Sequence, residues 1–389
     1  MVSHRVQLPN ELTDQVILHS DPTELANCAL VCRSWVSTAQ RNLLSRITIH
    51  ERNYTEIVQH LTSGAPYTIA AYVKRLNVLL WGDLRTMSNR RLADKTPLLH
   101  LLLPHISNFI NVQELAFDGC RAFNTLCWDD AWTDLLAAAF PSVKKLTVHY
   151  LNFEDLPDLV DLVCSFPQLT HLTAEDLDIV AASHEYSNEP QEPYGGSKTP
   201  PHLLESLNYR SGGLDTFASG VGPFLRWLAA GPQNFTTLHL DLDAEAGDVN
   251  AGVELLVAAG ANLRSLSLMF SDQWHMWEGL ELSGNTNLRS LVFRNVTDLG
   301  DDLISILESL HSPLEHLILG HVEDMDKEMR NNLVNILTRP SLSSLKTVDF
   351  FVSSSDSRAE ALAGEISVEY PEFFKTGIVS IACKRHHEW

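Results

Sequence analysis

Residues 263–268 read LRSLSL and residues 288–293 read LRSLVF. Both follow one pattern: an apolar residue, two variable ones, a leucine, one variable residue and a second apolar one. Working outward, the pattern recurs as VKRLNV (73), VQELAF (112), VKKLTV (143), LTHLTA (169), LESLNY (204), FTTLHL (235), LEHLIL (314) and LKTVDF (345), ten copies in all. The central anchors are Leu76, Leu115, Leu146, Leu172, Leu207, Leu238, Leu266, Leu291, Leu317 and Val348. Apolar residues two apart with a variable one between them predict a short strand with one buried face. The mean spacing of the anchors is about thirty residues, a period that signals stacked repeats.

Amphipathic helical patterns lie between the copies, and most end at proline or glycine. Trp132–Phe140 stops at Pro141, Pro157–Phe166 at Pro167, Phe224–Ala230 at Gly231-Pro232 and Val253–Ala259 at Gly260; Leu303–Leu310 and Leu333–Thr338 end before Pro313 and Pro340. These are ordinary helix stops. The unit is therefore helix, tight turn, strand. One such unit cannot bury its own apolar face, so neighbours must stack, with the strands forming a parallel sheet on an inner curve and the helices outside. The copies resemble leucine-rich repeats, although few have Asn or Cys at the position after the strand, which makes them irregular. The expected class is α/β, with a leucine-rich-repeat solenoid of about ten irregular repeats over residues 73–389.

Two intervals break the period. Leu172 to Leu207 encloses SHEYSNEPQEPYGGSKTPP (183–201), a polar insertion expected to be disordered. It is either a substrate-contacting loop or an insertion tolerated at a repeat edge. Leu76 to Leu115 holds the basic run RTMSNRRLADK, read as a solvated helix start. At the other end, Gly377–Cys383 is strand-like and suits a cap on the array.

The first fifty residues differ in kind. Leu8-Pro9 opens a helical pattern with Leu12, Val16 and Ile17 on one face, and His19-Ser20-Asp21-Pro22 breaks it. Asp21 is a good N-cap, with Glu24 placed for a capping box. A second helix carries Leu25, Cys28, Ala29, Cys32 and Trp35 on one side, and a third short helix is expected around Asn42–Arg46. About forty residues bury little core alone. The apolar residues left over, Leu8, Ile17, Leu30 and Val31, point to a protein partner.

LPxEL at residues 8–12, Asp21-Pro22, Leu25 and CxLVCRxW at residues 28–35 together resemble an F-box, especially of the fungal type. That resemblance implies docking on the Skp adaptor of an SCF (Skp–cullin–F-box) ubiquitin ligase and, through it, on a cullin scaffold. Leu8, Pro9, Leu12, Leu25, Leu30, Val31 and Trp35 would line or support the docking surface. The expected domains are an F-box over 1–50, a linker helix over 51–72 and the repeats beyond.

The chain of 389 residues has 44% hydrophobic and 20% charged residues, a globular composition, and a formal net charge of −21. Met1 to His50 sums to zero, so the whole excess lies beyond residue 50. An acidic body repels phosphate backbones, which argues against nucleic acid as a partner. No signal-peptide pattern and no apolar run of membrane-spanning length are visible, so no membrane partner is expected. Six cysteines without disulfide spacing fit reduced thiols, and the expected location is cytoplasmic or nuclear.

Sequence motifs for chemistry are weak. Cys28 and Cys32 share a helix face with no second ligand pair near, and read as core. His386-His387 does not make a metal site. Asp241-x-Asp243-x-Glu245 lacks the later glycine and glutamate of a calcium loop. No nucleotide, metalloprotease or nucleophile-elbow motif is present, so no cofactor and no catalytic residue is expected. What remains is a binding surface. The residues between the anchors, from Asn77 to Asp349, and those two places further, should face the inner curve. Met269, Arg294 and Phe351 there suit a protein substrate, and Trp274 with Trp277 is the best hot-spot candidate, against the reading that both indoles fill the outer layer. The expected function is a non-catalytic substrate adaptor of an SCF-type ligase; the alternative is a scaffold built on the repeats and independent of any ligase.

Overall fold

The computed structural model describes residues 12, 15–17, 19–31, 33–50, 52–62, 69–80, 102, 105–106, 109–119, 125–126, 130–179, 198–210, 221–231, 234–242, 246–270, 280–296, 300–322, 325–352, 356–371, 375 and 377–383. The chain forms two compact units, one of Met1–Phe123 with Asp130–Thr147 and one of Asn124–Asp129 with Val148–Trp389.

The repeat anchors are what the strands are built on. All ten central anchors are at most 2% exposed. Each buried leucine is worth about 1.5–3 kcal/mol relative to an exposed one. They lie on β2 (Arg75–Leu79), β3 (Glu114–Asp118), β5 (Lys145–His149), β7 (His171–Glu175), β9 (Ser206–Arg210), β10 (Thr237–Leu242), β11 (Ser265–Phe270), β12 (Ser290–Phe293), β13 (His316–Gly320) and β14 (Thr347–Val352). In the first unit β1 (Arg46–Ile49), β2 and β3 pair in parallel in chain order, and in the second β7, β9, β10, β11, β12, β13, β14 and β15 (Val379–Cys383) do the same. The expected α/β repeat class is the one observed.

In the second unit the register sets anchor on anchor: Leu172, Leu207, Leu238, Leu266, Leu291, Leu317 and Val348 are successive parallel partners. The carbonyl that precedes each strand accepts two N–H groups from the next repeat. Thr236 takes Arg264 and Ser265, Arg264 takes Arg289 and Ser290, and Arg289 takes Glu315 and His316. The Gly377–Cys383 run does form a terminal strand, with Val379 paired to Val348.

The helices of this unit are α5 (Leu156–Cys164), α6 (Gly222–Ala230), α7 (Ala246–Ala259), α8 (Gly300–Ser309), α9 (Lys327–Leu337) and α10 (Asp356–Glu369). Asp155 caps α5 by accepting from the Asp158 N–H, and Asp326 caps α9 by accepting from the Met329 N–H. The turns explain why Asn and Cys are rare after the strands. Tyr150 and Asp176 adopt left-handed backbone (φ 53° and 55°), and their N–H groups donate to the carbonyls of Glu175 and Arg210 in the next repeat. The position usually polar is then free to be apolar, and Leu151 and Leu177 are buried there. A small sheet of β4 (Thr125–Leu126), β6 (Asn152–Phe153) and β8 (Asp178–Ile179) follows these turns.

In the first unit, α1 (Pro22–Val31) packs on α2 (Arg33–Leu44), followed by α3 (Tyr54–Thr62) and α4 (Asp130–Ala139). The capping box is present: the Glu24 N–H donates to Asp21 Oδ1 at 2.8 Å and the Asp21 N–H to Glu24 Oε2 at 3.1 Å. The expected third helix around Asn42–Arg46 is corrected. It starts at Arg33, so Trp35 opens it, and the chain is already a strand at Arg46. Ile47, Thr48 and Ile49 are β-branched in succession, which favours a strand over a helix. Residues 44–49, LSRITI, are the repeat pattern with isoleucine as the anchor, and Ile47 pairs with Leu76.

Candidate functional site

Two surfaces are candidates, one in each unit. The first surrounds a minimal core. Ile17, Leu25 and Ala39 are buried together, with Cys28 and Trp35 partly buried against them. The capping box fixes where α1 begins, and its 3.6-residue pitch then turns Leu25 inward and Leu30 and Val31 outward. Leu30 is 84% exposed and Val31 62%. Leu12 is 53% and Val16 52% exposed, one helical turn apart. Of the residues singled out in the sequence, Leu12, Leu30 and Val31 are surface, whereas Leu25 and Trp35 support them from the core. The sequence pattern put Leu12, Val16 and Ile17 on one face and counted Ile17 with the residues left for a partner; that is corrected, since Ile17 is fully buried against Leu25 and Ala39 while Val16 joins the exposed set. Leu8 and Pro9 lie outside the described residues. Four large aliphatic side chains thus face water on the helices around this core, which makes them a candidate interaction surface.

The second surface is the face of the repeat strands opposite the buried anchors. Thr173, Asn208, His239, Ser267, Val292, Ile318 and Asp349 are half-buried in one row. In the next row stand Glu175, Arg210, Asp241, Met269, Arg294, Gly320 and Phe351. This is the alternation that the anchors require. Asp241, however, is only 7% exposed. Met269 and Arg294 are adjacent, since the Arg294 N–H donates to the Leu268 carbonyl at 2.9 Å. Phe351 is half-buried and level with Gly320, farther along the same row. Trp274 and Trp277 lie outside the described residues.

Polar groups gather in the middle of this face. Arg210 Nε is 3.5 Å from Asp241 Oδ2, and His149 Nε2 meets Glu175 Oε2. Arg294 Nη2 is 3.4 Å from His239 Nδ1. Burial, and then the positive charges of Arg294 and Arg210, push the His239 imidazole down to about 3, so it is neutral at physiological pH. Arg294 is lowered from the ordinary arginine range chiefly by burial, which Asp241 and Glu175 oppose and Arg210 reinforces. It remains charged. Among the described residues no group of three His, Cys, Asp or Glu side chains is placed to hold a metal, and no helix is long and apolar enough to cross a membrane. The sequence singled out Arg294 and Met269 by position alone. It missed the His239–Arg294 contact, which joins residues 55 apart.

Residues 6–50 match the family described as F-box-like. No curated protein matches the chain. Among solved structures, the leucine-rich repeat-containing protein LegL7 from Legionella pneumophila is 16% identical, with 83% of this chain and 96% of that one covered and a TM-score of 0.41. The helical unit around Ile17, Leu25 and Ala39 is thus an F-box-like domain, and its exposed apolar side chains belong to that domain.

Proposed function

We propose that the chain is a substrate-recognition adaptor of an SCF-type ubiquitin ligase, with an F-box of the fungal type. The F-box-like domain docks the Skp adaptor and, through it, a cullin scaffold. Leu12, Leu30 and Val31 make the contact together with Leu8 and Pro9, while Leu25 and Trp35 hold the domain in shape. The repeat face carrying Met269, Arg294 and Phe351, with Trp274 and Trp277, binds a protein substrate. The adaptor performs no bond chemistry. It raises the effective concentration of a substrate lysine near the activated ubiquitin. The observation that carries this reading is the F-box-like match over residues 6–50, combined with aliphatic side chains exposed on its helices.

The test is co-purification of the full chain with its host's Skp adaptor, beside a Leu12→Asp/Leu30→Asp/Val31→Asp variant. These positions are exposed, so the variant should keep its fold, checked by thermal unfolding. The expected result is a stoichiometric complex that the variant loses. A folded wild-type chain that never binds the adaptor removes the ligase reading and leaves the repeats as a scaffold.

A further inference from the structure

Arg294 is the under-satisfied member of the inner-face cluster. Its side chain leaves the end of β12 and crosses β11 to reach His239 on β10. Because His239 is neutral, that contact is a hydrogen bond to an imidazole lone pair and not an ion pair. The carboxylates that act on Arg294 are already engaged, Asp241 by Arg210 and Glu175 by His149. Arg294 Nε is buried with no acceptor, and Ser267 Oγ, on the strand that the arginine crosses, is buried with no partner. A guanidinium withdrawn from water needs a counter-ion or a full set of acceptors, and an unmet buried donor is costly. The arrangement is half of a recognition site.

We propose that Arg294 seats one carboxylate, an exposed Asp or Glu side chain of the protein held on the inner face, with the Ser267 hydroxyl as a second donor. This deepens the substrate-binding reading of that face and rests on it. The planar guanidinium offers two parallel N–H groups that match a carboxylate. Turning the group off His239 frees them and removes the orphaned donor. Charge selects the ligand. Arg210 and Arg294 face two carboxylates, Asp241 and Glu175, so a single carboxylate adds the least negative charge that can satisfy the open guanidinium donors, whereas the second charge of a phosphate would face Asp241. The net charge of −21 also disfavours more highly charged anions.

The probe is a displayed library of random dodecapeptides, selected on the full chain and on Arg294→Gln and Arg294→Glu variants whose folding is verified by thermal unfolding. Wild-type selections should fix an acidic residue at one position, and a selected peptide should bind Arg294→Gln about tenfold or more weakly. Arg294→Glu should select a basic residue at that position, which a merely structural arginine would not produce. Selections with no acidic position, no selected peptide at all, or equal binding to Arg294→Gln overturn the proposal. A phosphoserine replacement that tightens binding overturns the single-carboxylate assignment. Adaptor co-purification on the same preparations separates the readings. A chain that holds the adaptor but selects no acidic peptide loses the seat alone, and one that selects acidic peptides without holding the adaptor loses the ligase reading alone.

Discussion

His239 shows how a single side chain ties the inner face to solution conditions. Its neutral imidazole accepts from a charged guanidinium, and both burial and that charge oppose a second proton. The folded pKa of about 3 lies below the ordinary value of 6.5. Between those two values the unfolded chain takes up a proton that the folded chain refuses. This group's contribution to stability is therefore complete above pH 6.5 and lost as pH falls toward 3. His239→Gln keeps an acceptor near Arg294 and cannot titrate. From pH 7.5 to 5.5 the wild-type chain should lose about 1 kcal/mol more than the variant, read as the difference in urea-unfolding free energies. Equal losses would mean that the imidazole protonates freely in the fold.

At the scale of elements, the ends of helices and strands decide what could be read in advance. Helix α7 was expected to stop at Gly260, and it does, with that glycine at φ 48°. Its last carbonyls are closed from a distance: buried Asn285 donates from Nδ2 to the carbonyls of Leu256 at 3.1 Å and Gly260 at 3.0 Å. Asn285→Leu takes a donor from the buried Leu256 carbonyl, while the half-buried Gly260 carbonyl keeps the Leu263 N–H at 3.3 Å; it should destabilise the chain by about 1–2 kcal/mol, whereas Asn285→Asp, which turns oxygen toward oxygen, should do worse. Urea unfolding of the three proteins checks the order, and a neutral Asn285→Leu would show that water closes the helix instead. Asn285 carries no signal in the sequence because its partners are 25 and 29 residues away. The anchors were legible because leucine at fixed spacing needs no partner to be recognised. LSRITI stands out less because it adjoins a helix and because isoleucine holds the anchor place that leucine holds in nine of the other ten copies. The left-handed turns at Tyr150 and Asp176 were equally hidden, since neither residue type advertises positive φ.

For the whole molecule, 49 acidic residues face 28 basic ones, and residues 1–50 contribute nothing to the imbalance. That much was plain from counting, and it bears on stability as well as on partners. Two salt effects compete in such a chain. Salt weakens exposed ion pairs such as Arg75–Glu114 and Arg339–Glu308, each worth about 0–1 kcal/mol. It also screens the repulsion among the acidic groups left over, 49 less 28 or 21 in all. The Debye length falls from about 30 Å at 0.01 M to about 3 Å at 1 M, so added salt removes the many long-range repulsions more completely than the few short contacts. Repulsion should therefore win. The thermal midpoint should rise as sodium chloride goes from about 0.02 M to about 0.5 M, the range in which screening changes most. A falling midpoint would show that the surface pairs outweigh the repulsion, and the acidic body would then be a lattice of compensated charges with no field to steer a basic partner.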